Sequence, residues 1–378
     1  MNLSSRLPRL VVVAWAVSAA ALAALGVAVW HFLQGSGSES GMGHMPMNTA
    51  SALTRAGGPV PRQPLIGSAL VTAWQLDAVA LAVIVLAAAL YLTGVALVPV
   101  RSPGSRWPLR RTLVFLAGLF VCVIATNGSI AVYDRVLFSA HMLGHLALVM
   151  VAPALIMWGR PLRLALDSAP PRRRARLERL FTGRVVSVLT APPVALATYT
   201  VVIVGSHLTG LMDTIMRNEW AGQLEHLVYL VAGCQFFVLI VGDEPIRWRL
   251  GSPARWLLLA LAMAVDTFTG IVLMQGVRAV HLMPSSLDVN ALSDTRTGGA
   301  IMWCGGDAIM LLIMVALVVE YLRQVDAAAP EQGWLAQARV AQFAEHTGAS
   351  DDTQEAMDDD DSARVAYNEW LRKLASRG

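Results

Sequence analysis

His141 and His145, four residues apart with Met142 between them, are the densest group of candidate metal ligands in the chain. On a helix, residues three and four apart are neighbours, so Met142 and His141 both lie beside His145. Imidazole nitrogen suits copper, and a thioether especially suits Cu(I). The alternative is a pair of histidines hydrogen-bonded to backbone or to Asn127, and the pair alone does not separate these readings. Glu225-His226 lies at similar depth in another apolar run and brings a third imidazole, with His207 a further candidate. Adjacent helical residues point about 100° apart, so Glu225 is placed to orient or neutralise groups rather than share a metal with His226.

Other polar residues within apolar runs, Asp77, Asn127, Asp266 and Asp307, are costly in hydrocarbon and must face one another or a wet cavity. The cysteines Cys122, Cys234 and Cys304 are dispersed without a CxxC pair and read as small buried hydrophobes. Most methionines read as packing residues. A cluster of Met42, His44, Met45 and Met47, however, sits in a Gly-, Ser- and Pro-rich stretch with little to bury, where His44 and Met45 would collect Cu(I) from a flexible tether. No nucleotide loop, nucleophile elbow or metalloprotease helix is present, and no enzymatic activity is expected.

These residues must be positioned by membrane helices. The chain is 56% hydrophobic and 15% charged, with apolar runs near the ~20 residues that cross a bilayer. The runs are 10–33, 69–98, 112–133, 138–157, 185–207, 223–242, 256–275 and 298–322. The expected fold is all-α, a polytopic membrane bundle of about eight transmembrane helices. It divides into an N-terminal anchor at 1–33, an extracytoplasmic Met/His loop at 34–68, a seven-span core at 69–322 and a cytoplasmic tail at 323–378. Pro153 should kink the fourth run, and the glycine pairs at Gly298-Gly299 and Gly305-Gly306 should let the last run approach a neighbour closely.

Arginines set the orientation, because basic loop residues stay on the cytoplasmic side. With the N-terminus inside the plasma membrane, the segments placed inside ahead of the tail hold 17 arginines and those outside hold six. Both termini are then cytoplasmic, and every histidine except His346 lies in an outer loop or the outer half of a span. The net charge of +3 is accordingly topological; it points to the lipid surface and not to nucleic acid.

Several motifs in order resemble the CtaG-type cytochrome c oxidase assembly factors. They are Phe138-Ser139-Ala140-His141-Met142, His145, Val151-Ala152-Pro153 and Gly159-Arg160-Pro161, then Glu225-His226-Leu227 with Ala232-Gly233, and Asp294 with Gly298-Gly299-Ala300-Ile301-Met302-Trp303. The tail Ala366-Tyr367-Asn368-Glu369-Trp370-Leu371 is similar to actinobacterial members. Thr295 stands where the family often has Gln, and Gly222 or Gln223 where many members carry another His. The resemblance implies a seven-span fold in a bacterial plasma membrane, here preceded by an additional anchor, with haem-copper oxidase subunits as partners and copper as cargo. His141, His145 and His226 are then the preferred ligands, with His207 and Met142 as candidates and Asp294 neutralising or orienting the site. Two other readings belong to different classes: a b-type haem protein, which would use histidines facing each other from two helices, such as His145 and His226, since His141 and His145 on one helix cannot flank one iron, and a metal-free scaffold for oxidase subunits.

The orientation is open to direct test. Cysteines introduced as Ser38→Cys and Ser286→Cys should react with an impermeant thiol reagent added outside cells, and Ser350→Cys only after lysis; the reverse pattern would invert every side assignment.

Overall fold

A computed structural model describes residues 65, 69–102, 104–208, 211, 218–241, 243–276, 289–323, 325, 368–369 and 372–373. The anchor at 10–33, the Met/His loop except for residue 65, and most of the tail lie outside the described residues. Every regular element described is helical, as the all-α expectation requires. Six helices among the described residues are long and apolar enough to cross a membrane. Contacts divide the chain after Met314, and everything below concerns the part before that point.

In chain order, α1 is Ala69–Thr72, α2 Ala78–Arg101, α3 Leu109–Asn127 and α4 Ser129–Tyr133. The fourth span is α5, Phe138–Leu146, a π turn at Ala147–Val151, and α6, Ala152–Trp158. The short helices α7, Pro161–Asp167, α8, Pro171–Phe181, and α9, Arg184–Leu189, precede α10, Pro192–His207. Then come α11, Glu219–Val241, α12, Ser252–Gln275, and α13, Ala291–Ala300, which runs into a second π turn at Ile301–Gly305.

The run at 185–207 is not one continuous helix. Pro192 and Pro193 have no N–H to donate, and Pro192 drives Ala191 to extended geometry (φ −64°, ψ 132°), so the helix ends at Leu189 and restarts at Pro192. At Pro153 the disturbance is spread into the π turn just before it.

The fourth span lies at the centre, packed against α3, α11 and α13, while α10 and α12 close the far side. Large apolar side chains such as Leu90, Phe120, Val201, Leu257, Phe268 and Leu312 stay exposed on the outer surface, a costly arrangement in water and the expected one against lipid. Close approaches depend on glycine. A Cβ on Gly270 or Gly299 would lie 2.8 Å from the other's carbonyl oxygen, and a Cβ on Gly233 would overlap the Val149 carbonyl and the Pro153 ring. The glycines of the last span thus do what their sequence pattern predicted.

The arginine-rich end is held by a separate polar group. The Tyr91 hydroxyl donates to the Gly159 carbonyl at 2.7 Å and receives the Trp107 indole N–H at 3.0 Å. Arg160 pairs with Asp243 at 2.8 Å, and both residues take left-handed backbone conformations, φ 54° and 63°, a strain that their mutual contact helps hold. Glu244, buried, accepts the Arg163 backbone N–H at 2.8 Å and so caps the first turn of α7.

Burial pushes the Glu244 carboxyl up to about 7, against the opposing pull of the Arg163 and Leu162 backbone N–H groups and the Arg160 and Arg111 charges. The folded state therefore holds this proton more tightly than the unfolded chain, whose carboxyl titrates near 4.5. The associated stability is full below the unfolded value and is lost as pH rises through the folded one. Glu244→Gln should flatten the fall in thermal stability between those two pH values; a variant with the same slope as wild type would remove Glu244 as its source.

Candidate metal centre

Four histidines from three spans meet at the end of the bundle opposite the arginines. α5 carries His141 and His145 one turn apart, α10 ends on His207, and α11 carries Glu225, His226 and, one turn on, Tyr229. His141, His145, His207 and Glu225 are all buried, which in a membrane interior requires each to be oriented by a neighbour.

Asp134 sets the first layer. It sits in the four-residue connection between α4 and α5, which Tyr133, Val136, Leu137 and Ala140 anchor in an apolar cluster. Its carboxylate lies 2.6 Å from His141 Nδ1 and 3.4 Å from His226 Nε2, bridging the two rings. The short contact places a proton on His141 Nδ1, while Nε2 faces Glu225 at 3.6 Å. Glu225 itself accepts the Tyr229 hydroxyl at 2.5 Å. A carboxylate behind an imidazole is how proteins commonly orient a histidine for metal ligation.

The second layer is His145, His207 and Tyr229. The His145 and His207 rings are 4.7 Å apart between centroids, and the Tyr229 ring is 4.3 Å from His145. His207 Nδ1 lies 2.8 Å from the Ile203 carbonyl, so it carries the proton and Nε2 does not. The first layer opens into a polar recess of about 20 Å³ lined by Asp134, His141, Gln223, Glu225 and His226, room for about one water-sized occupant.

Five buried imidazole nitrogens here make no hydrogen bond: His141 Nε2, both nitrogens of His145, His207 Nε2 and His226 Nδ1. Buried polar atoms are nearly always satisfied, so such a concentration calls for a ligand. Among the described residues no three His, Cys, Asp or Glu side chains are arranged to hold a metal ion as they stand. What the site offers is pairs of nitrogens, His145 with His207 foremost. Imidazole is a ligand type suited to copper among other transition metals.

Of the expected ligands, the structure brings His141, His145, His207 and His226 together. Met142 is fully buried and lies beside Gly298 of α13, where it packs that seam. His44 and Met45 are outside the described residues. Asn127 does not serve the histidines: its Oδ1 accepts the Asp77 N–H at 2.8 Å and its side-chain N–H₂ donates to Thr126. Asp294 acts at one remove. It accepts the Phe138 N–H at 2.6 Å and the Ser139 hydroxyl at 2.5 Å, capping α5 from the last span. It therefore fixes the helix carrying the histidine pair and does not neutralise the imidazoles. Asp134 and Tyr229 had not been singled out. An acid seven residues before His141, in a short connection between two apolar runs, was the available signal for the first; nothing marked the second.

Residues 89–324 match the sequence model of the cytochrome c oxidase caa3 assembly factors. Uncharacterized proteins of Mycobacterium bovis and Mycobacterium tuberculosis are each 30% identical over 331 residues, covering 84% of this chain. One of Mycobacterium leprae is 29% identical over 322 residues, 80% of this chain. The chain spans about half the length of these relatives, 46%, 46% and 45% respectively. No solved structure matches.

Asp294→Ala removes a helix cap, an effect of about 1–2 kcal/mol. Purified protein should unfold at a lower temperature, and Asp294→Asn, which keeps one acceptor oxygen, should recover part of the loss. Equal unfolding temperatures for all three proteins would show that the cap is not needed.

Proposed function

Because the chain belongs to the cytochrome c oxidase caa3 assembly factor family, we propose that it is a non-catalytic copper handler that receives Cu(I) on the extracytoplasmic side and passes it to haem-copper oxidase subunits. The observation that carries this reading is the group of buried imidazole nitrogens without hydrogen bonds. Copper is the cargo. His145 and His207 form the inner pair and His141 the third candidate, with His226 nearer the recess, where an incoming ion would first meet nitrogen.

The supporting residues have separate tasks. Asp134 and the Ile203 carbonyl hold protons on Nδ1 of His141 and His207, so His207 presents its Nε2 lone pair and His141 presents its own when the ion displaces the Nε2 proton. Glu225, held by Tyr229, offsets part of the cation's charge. Neutral nitrogen ligands hold Cu(I) less tightly than thiolates do, which favours onward transfer. The tether bearing His44 and Met45 would raise the local supply of copper. The orientation read from the arginines puts the histidine end outside and both termini in the cytoplasm of a bacterial cell.

The test is to replace His145 and His207 together with alanine. Interhelical hydrogen bonds in membranes are worth only about 0.6–2 kcal/mol each, so the double variant should accumulate at near-normal abundance. It should lose most copper retained on purification, and the oxidase should then contain haem but too little copper. Copper binding equal to wild type, together with a fully metallated oxidase, would refute the proposed site.

A further inference from the structure

A second cavity lies at the opposite, arginine-rich end. It is open, has a volume of about 450 Å³, and sits between α2 and the α7–α8 segment. Leu90, Leu97 and Leu164 supply apolar wall, while Arg101 and Arg173 also line it. Arg101 is the last residue of α2 and Arg173 lies in the first turn of α8.

The charges at this cavity are not consumed by the protein. Arg160, Arg163 and Arg174 all have carboxylate partners. Among the described residues no carboxylate lies within ion-pair distance of Arg101 or Arg173, and both are exposed. Helix α8 buries none of its residues in the protein although it carries Leu177, Leu180 and Phe181 beside five arginines. An amphipathic, basic helix whose apolar side the protein covers only in part is suited to lie in a membrane interface. Arg173 and Leu177 are one turn apart, so one face of α8 brings a cation and an apolar side chain to the same cavity.

We propose that this cavity binds one anionic glycerophospholipid, its phosphate between Arg101 and Arg173 and an acyl chain along Leu90, Leu97 and Leu164. Two unpaired cations at the rim of an apolar trough match the two halves of such a molecule. A zwitterionic lipid would bring its own headgroup cation against the two arginines, whereas an anionic lipid brings uncompensated negative charge, and a free phosphate would leave the trough empty. Basic pockets between transmembrane helices commonly hold anionic headgroups. The volume falls within the ~300–1,000 Å³ of a typical small-molecule site. Gly94 keeps the trough open between the chains: a Cβ there would come within 3.1 Å of Leu164.

The experiment uses the full chain reconstituted in bilayers of equal parts phosphatidylcholine and phosphatidylglycerol, then extracted gently, with the retained lipids measured by mass spectrometry. Wild type should retain phosphatidylglycerol in preference to phosphatidylcholine. Each of Arg101→Gln and Arg173→Gln should reduce that preference about fivefold, the effect expected of one basic residue beside an anionic surface. The Arg172→Gln/Arg176→Gln protein, which loses one charge more than either single variant but on the same helix outside the cavity, should retain the preference, and all variants should elute as folded protein. Excess inorganic phosphate should not displace the lipid. A photoreactive amino acid at Leu97 should crosslink to phospholipid. Unchanged preference in the Arg101 and Arg173 variants, an equal loss in the Arg172/Arg176 protein, displacement by phosphate, or crosslinking of Leu97 to another segment of the chain in place of lipid would each overturn the proposal.

Discussion

The bilayer interior has no water to satisfy a polar group, and that constraint organises this protein. Each buried acid is committed to a specific partner on another element or at a helix start. Asp77 caps α2 and takes the Gln223 side chain, Asp294 caps α5 across the bundle, and Glu244 caps α7. Asp266 accepts from Tyr199, and Asp307 from Thr267. One oxygen each of Glu244 and Asp266 also lacks a hydrogen bond, but among the described residues such atoms are gathered together only in the histidine cluster. A membrane protein can sustain such a group where a ligand visits it, because the surrounding caps carry the stability that the site forgoes.

Asp134 shows how little chain is needed to prepare the site. The residue belongs to neither neighbouring span, yet the apolar side chains around its turn hold it firmly. From there one carboxylate contacts imidazoles on two helices. It fixes the tautomer of His141 and counters positive charge without being a necessary ligand itself. Glu225 and Tyr229 provide a comparable arrangement on α11, so the acids flank the imidazoles from two sides.

Much of this was legible in the sequence for physical reasons. Long apolar runs can only be membrane helices, and small residues at Gly298 and Gly299 can only help where another backbone comes close. His141, His145 and His226 stood out because ionisable groups in apolar runs are expensive. Less legible were features set by tertiary contact. Asp294 looked like a charge near the site, but its backbone and hydroxyl partners at Phe138 and Ser139 are 155 or more positions away. Tyr229 resembled any aromatic core residue until Glu225 and His145 were placed beside it. The break before Pro192 was readable from Pro192-Pro193, whereas hydropathy alone carried the run through it.

The π turns illustrate what hydropathy cannot express. His141, His145, Val149 and Pro153 are spaced by four, and on an unbroken α-helix twelve residues would rotate Pro153 about 120° away from the face of His141. The wider turn at Ala147–Val151 absorbs much of that rotation. The same stripe consequently meets α11 three times in succession: His141 at Glu225, His145 at Tyr229, and Val149 with Pro153 at Gly233. The last span, which carries the second π turn, packs against α5 just before the first, with Gly298 beside Phe138 and Met142, and Gly305 beside Leu146. Two irregular helices thus pack as matched partners, and their irregularity keeps the imidazoles and the tightest backbone contact on one continuous face. In the fourth span the site and the seam share one distortion, so a change that restored regular α-geometry there would turn His141 and His145 out of register with the Gly233 contact.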